Sequence, residues 1–268
     1  MNLAIETIKL LAILLAPFAV FAFVIHMLER LIQRRLAERF GWKSVLWTGW
    51  LGTPIHELSH AFMCRVFNHK IDEIALFEPD QRSGRLGFVR HSFKTGNWYQ
   101  ELGNFFIGIA PLIGGSVVLV LLLWLFFPTA IEGAFAASKE ASLNGPAEQL
   151  MAIITAVAEE IFAGKNLVTG RFWLFVYFVL CVGGHMAPSP SDYEGASRGV
   201  YLVGAGLLIL TIALAATGTN SQSMVEGMIG LLGPLFAILA LTVALCAAVT
   251  GFVWIATVPF PQRFVQRR

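Results

Sequence analysis

Hydrophobic residues run through the chain in four long, nearly unbroken stretches, Leu10–Leu28, Phe105–Phe127, Val200–Ala216 and Met228–Val258. A bilayer core of about 30 Å needs roughly 20 apolar residues in a helix, so each stretch predicts a membrane span. Gly233-Pro234 near the start of the last one predicts a kink or a late beginning. Two further stretches, Val45–Phe67 and Phe172–Ala187, have the length of spans but contain polar residues that a plain anchor would avoid. Lys70–Phe77 and Gly87–Phe93 are short segments rich in Ile, Phe and Val, separated by the turn-forming Glu78-Pro79-Asp80-Gln81-Arg82-Ser83-Gly84. They predict a β-hairpin over 70–93. After Asn144-Gly145, the positions Leu150, Ile153, Ile154, Val157 and Ile161 recur at helical spacing, and they predict an amphipathic helix over 146–162 with an acidic polar face. The pattern as a whole predicts an all-α polytopic membrane protein of about six transmembrane helices, with one small β-hairpin after the second.

Composition agrees with the pattern. Of 268 residues 56% are hydrophobic and 13% are charged, against about 25% charged in ordinary soluble domains. That excludes a soluble globular domain, a disordered chain and a disulfide scaffold. Net charge is +2 and the basic residues form no patch, so nucleic acid is not an expected partner; the lipid bilayer is. Arg30, Arg34 and Arg35 follow the first run as a stop-transfer cluster, which makes that run a span and not a cleaved leader. Six spans put both ends on one side, but eight basic residues in one set of loops against nine in the other do not choose that side. Cys64, Cys181 and Cys246 each lie in apolar runs, where a thiol behaves as a small hydrophobe.

The candidate chemistry lies in the first of the two further stretches. Val45–Phe67 contains Gly52-Thr53-Pro54-Ile55-His56-Glu57-Leu58-Ser59-His60. Two histidines four residues apart project from one face of a helix, so both imidazoles can reach one zinc ion while Glu57 stands beside the attacking water as general base. Two histidines and a glutamate in lipid cost several kcal/mol unless they are paired, metal-bound or cavity-facing. A catalytic zinc takes a third protein ligand, and two candidates follow the Phe172–Ala187 run, His185 and Asp192. Ser191 with Glu194 three residues later predicts a capping box opening the next helix, which would make Asp192 an ordinary first-turn acid. Spacing alone leaves the choice open. His26, His69 and His91 are read as structural or solvated residues, and Cys64 as a buried inert thiol.

The embedded His56-Glu57-Leu58-Ser59-His60, the hairpin after it, and Gly103-Asn104 through Ala110-Pro111 to Gly114-Gly115 in the following span resemble the site-2 protease family. These are intramembrane zinc metalloproteases. The resemblance implies a three-span core over 45–199, with Val45–Phe67 first, Phe105–Phe127 second and Phe172–Ala187 third. An N-terminal span and basic amphipathic linker (1–44) would precede it, and two spans with a basic tail (200–268) would follow. It implies Zn2+ as cofactor, His56, His60 and Asp192 as ligands with His185 as runner-up, Glu57 as base, and Asn104 as a candidate oxyanion or positioning residue. It also implies a membrane-protein substrate cut in or near a transmembrane segment, to which the hairpin offers a free edge. The family's usual Asp-Gly context around the third ligand is replaced by Pro188-Ser189-Pro190-Ser191-Asp192, and these 268 residues leave no segment for a PDZ or CBS domain. A compact member of this kind is expected as a multi-pass protein of a prokaryotic plasma membrane. Two other classes compete: a zinc-binding but non-proteolytic scaffold or regulatory subunit, and a small transporter or channel subunit whose polar residues line a permeation path.

Overall fold

Each of the four strong apolar runs folds as a helix longer than the run itself. The structure, a computed structural model, describes residues 3–141, 145–218 and 221–260; Asn144 and the basic tail with Arg263, Arg267 and Arg268 lie outside the described residues. In chain order the elements are α1 (Leu3–Phe40), α2 (Lys43–Val66), β1 (Lys70–Ala75), β2 (Phe88–Ser92), α3 (Trp98–Phe126), α4 (Pro128–Glu140), α5 (Pro146–Ile161), α6 (Gly164–Leu167), α7 (Gly170–Gly183), α8 (Pro190–Ala216) and α9 (Ser221–Ala256). Among the described residues, four helices are long and apolar enough to cross a membrane: Ile5–Phe40, Trp98–Phe126, Pro190–Ala216 and Gln222–Ala256. The two weaker stretches are helical as well. α2 has 24 residues and carries the polar motif, while α7 has only 14.

Proline and small polar residues set the starts of the helices. Pro128, Pro146 and Pro190 each occupy the first turn of their helix, where a missing N–H removes nothing. The Asn97 side chain accepts from the backbone N–H groups of Tyr99 and Gln100 and opens α3. The basic stretch after the first apolar run does not break away as a linker, since α1 continues through it to Phe40. Pro190 carries α8 ten residues upstream of the apolar run beginning at Val200, so the expected boundary at 199/200 falls inside one helix. α4, which no apolar periodicity announced, packs against the anticipated α5.

The buried apolar core, including Ile25, Leu112, Leu119, Phe175, Val179 and Leu239, ties α1, α3, α7 and α9 together. α3 also packs extensively against α2 and α8. Where lipid replaces water, helix association depends on close backbone approach at small residues, and two glycines provide it here. Gly52 of α2 lies against the Cys181 carbonyl of α7, and Gly108 of α3 lies against the Asp192 carbonyl and Ala196 of α8; a methyl group at either would overlap backbone. α2 thus runs unbroken past Gly52 and Pro54.

β1 and β2 pair antiparallel from Lys70↔Ser92 to Ala75↔Phe88, with Asp72 unmatched in a bulge between Ile71 and Glu73. Gly87, just before β2, packs on Thr53 and Glu57. The hairpin therefore closes over the motif face of α2.

Candidate metal centre

His56 and His60 lie one turn apart on α2, with ring centroids 4.8 Å apart. Each ring is fixed by a backbone carbonyl of another segment. His56 Nδ1 donates to the His185 carbonyl at 2.9 Å, and His60 Nδ1 donates to the Ile107 carbonyl of α3 at 2.8 Å. A carbonyl only accepts, so both Nδ1 atoms carry a proton and the Nε2 atoms are the ones turned to the cluster. Those two Nε2 atoms face one another at 3.1 Å.

The third group comes from α8. Asp192 is the third residue of that helix, and the N-cap is Ser189: the two form a capping box, with Ser189 N–H donating to Asp192 Oδ2 at 2.7 Å. The cap expected at Ser191 with Glu194 is displaced by two residues. Pro190 decides it, because proline is suited to the first helical position and makes the residue before it the cap. Asp192 is consequently both the first-turn acid and the partner of the histidines, with Oδ1 at 3.2 Å from His60 Nε2 and Oδ2 at 3.7 Å from His56 Nε2. Nor does it end the Phe172–Ala187 segment. α7 stops at Gly183, and the side chain reaches the histidines from the next helix.

His56, His60 and Asp192 each offer a ligand atom, all within 4.8 Å of one another. In neutral rings the two Nε2 atoms would be acceptors, and two acceptors beside a carboxylate favour a cation between them. The nearest approaches are 3.1 Å between the two nitrogens, 3.2 Å from His60 Nε2 to Oδ1 and 3.7 Å from His56 Nε2 to Oδ2, so the two histidines face different oxygens of the one carboxylate. Two imidazole nitrogens and a carboxylate are a donor set that suits a divalent cation.

His56, His60 and Asp192 line a cavity of about 650 Å³. Glu57, 7% exposed, lines it beside the ligands. Thr53, one turn before Glu57, also lines it, and its hydroxyl is buried with no hydrogen-bond partner. An orphaned hydroxyl beside a buried carboxylate is a place for a polar guest. Asn104 reaches the wall too, with its amide nitrogen donating to the Glu101 carbonyl at 3.2 Å.

The His185 ring is turned away from the cluster. Its Nε2 lies 2.8 Å from the Thr48 hydroxyl and its Nδ1 3.4 Å from the Gln33 amide nitrogen. It is the backbone carbonyl of this residue, not its imidazole, that serves the site. Cys64 is fully buried outside the cluster.

The histidines read as bystanders are closer to the site than expected. His26 and His91 line the cavity. His69, 4% exposed, donates from Nε2 to the Gln100 carbonyl at 2.7 Å, so its Nδ1 accepts from His91 Nδ1 at 3.0 Å. The His91 ring is left with an acceptor Nε2. Burial and the neighbouring His69 hold its pKa down to about 4, so the pair stays neutral.

Two residues of α1 escaped the sequence altogether. Glu29 Oε2 accepts from the Ala187 N–H at 3.0 Å, and Gln33 Nε2 donates to the Gly184 carbonyl at 2.6 Å. Their only signal is spacing: His26, Glu29 and Gln33 recur three and four apart on one face of α1, whereas Arg30 and Arg34 lie off it. Comparison with family models, curated proteins and solved structures returns no match for the chain.

Proposed function

We propose that the chain is a multi-pass intramembrane zinc metalloprotease, a compact relative of the site-2 protease family, that hydrolyses peptide bonds in or near transmembrane segments of membrane proteins. The observation that carries this reading is the convergence of three ligand atoms from His56, His60 and Asp192 on a cavity whose wall contains Glu57. α2, α3 and α8 would form the catalytic core, with α2 and α7 counted among the spans alongside the four long apolar helices.

His56, His60 and Asp192 would hold the ion. A bound zinc supplies Lewis acidity, polarising the scissile carbonyl and making water a better acid. Glu57 accepts the proton of the attacking water on its carboxylate and returns it to the leaving amine. The His185 and Ile107 carbonyls keep both imidazoles oriented and more basic. The cavity admits water to a site that lipid would otherwise keep dry, and it has room for an unwound stretch of substrate.

The test is cleavage of a single-span reporter in proteoliposomes by the wild type and by Glu57→Gln. The proposal expects cleavage to fall at least 100-fold in the variant while bound metal is unchanged. Equal activity of the two proteins, or no cleavage with solute flux instead, moves the chain to the scaffold or the transporter class.

A further inference from the structure

We infer that Glu29 and Gln33, on α1, are positioning residues for His56, acting through the backbone of the segment between α7 and α8. The inference rests on the metal-centre reading above and extends it to a helix outside the proposed catalytic core.

His56 is oriented by the His185 carbonyl, so whatever fixes that carbonyl fixes the ligand. Gly184 to Pro188 is irregular backbone between two helices. Irregular backbone at membrane depth persists only where protein or a water-filled cavity satisfies its polar groups. Here α1 does so on both sides of His185. Before it, Gln33 Nε2 donates to the Gly184 carbonyl; after it, Glu29 Oε2 accepts from the Ala187 N–H. Glu29 Oε1 also accepts from Gln33 Nε2 at 3.2 Å, one helical turn away, which fixes the amide's orientation. The amide has two protons, and the Glu29 and Gly184 oxygens take both. The His185 ring beside it is held separately by Thr48. The path is therefore hydrogen bonds joined by one short run of backbone: Glu29 to Gln33 and to the Ala187 N–H, Gln33 to the Gly184 carbonyl, and the His185 carbonyl between them to His56.

Glu29 and Gln33 line the cavity but are not among the three ligand residues, so a positioning role is read in metal affinity and ligand field, which contact with a substrate alone would not move. Outer-shell partners of metal ligands are worth 10–100-fold in affinity or activity, and a group one bond further out belongs at the lower end of that range.

The experiment uses the full chain in detergent, loaded with Co2+ in place of zinc. Dissociation constants are measured by chelator competition and the d–d absorption is recorded. Wild type, Glu29→Leu, Gln33→Leu and Glu29→Gln are compared with Phe18→Ala, which removes a ring packed edge-on to Phe236 between α1 and α9 without touching the path. The leucine variants are expected to weaken Co2+ binding about tenfold and to shift the d–d bands. Glu29→Gln, which keeps one acceptor for Ala187, should fall between them and wild type. Phe18→Ala should bind as wild type even with a lowered melting temperature. If Gln33→Leu and Glu29→Gln fold and bind Co2+ with wild-type affinity and spectrum, the inference is overturned and the metalloprotease reading stands. It is overturned equally if Phe18→Ala weakens binding as much as they do. A wild type that binds no Co2+ overturns the metal-centre reading, and this inference with it.

Discussion

The Nε2 atoms of His56 and His60 face each other at 3.1 Å while both Nδ1 protons are committed to backbone carbonyls. An Asp192 carboxylate oxygen lies 3.2 Å from the second of them, His60 Nε2. Both rings therefore turn Nε2 toward the carboxylate, and the proposed cation site rests on that arrangement. The proposed chemistry follows from where those protons went.

Ser189 holds the Asp192 carboxylate through both its N–H and its hydroxyl, each 2.7 Å from Oδ2. Ser189→Ala keeps the backbone bond and loses the hydroxyl. Loss of an N-cap side chain costs about 1 kcal/mol of stability, and an outer-shell partner about 10-fold or more in metal affinity. Chelator competition should therefore report weaker but still stoichiometric metal, together with a slightly lower melting temperature.

Gly108 leaves room for the first turns of α8. A methyl there would overlap the Asp192 carbonyl and the Ala196 side chain and backbone, so Gly108→Ala must push the ligand-bearing turn away. Gly206, further along α8, faces open space, and Gly206→Ala adds nothing that could clash. Metal titration should separate the two variants, with binding weakened at least tenfold in Gly108→Ala and unchanged in Gly206→Ala.

Much of this architecture was legible from hydrophobic runs, because a span needs only length and apolarity and the HELSH motif needs only its spacing. The hairpin was legible from its turn, and α5 from its periodicity and from Gly145-Pro146. Position 192 shows where such reading stops. Ser189-x-x-Asp192 and Ser191-x-x-Glu194 both satisfy the capping pattern, and only the proline between them breaks the tie. The Ser191 register sets Asp192 as a first-turn acid against Asp192 as a ligand, whereas one carboxylate both closes the capping box and faces the two histidines. Glu29 and Gln33 were hidden for a different reason. They sit among arginines that mark the end of an apolar run, and nothing local says which charged residues turn inward. That information lies in the 184–187 backbone, some 150 positions away.

The hairpin carries a pH dependence. His91 is held down to about 4 by burial and by His69, against about 6.5 in an unfolded chain. Its neutral form is the one the fold requires, so its contribution is fully present above about pH 6.5. As pH falls from there toward 4, the unfolded chain takes up a proton that the folded chain refuses, and stability falls. Melting temperature measured across pH 7.5 to 4.5 should drop for wild type, with a shallower slope for His91→Gln.

Metal content per chain tests the central claim most directly, measured on detergent-purified wild type, Asp192→Ala and His185→Phe after zinc reconstitution. One zinc in wild type, none in Asp192→Ala and one in His185→Phe is the predicted result, since His185 serves through its carbonyl and keeps it when the ring is replaced. Zinc lost with the His185 ring but retained without Asp192, or no zinc in wild type at all, would contradict the account.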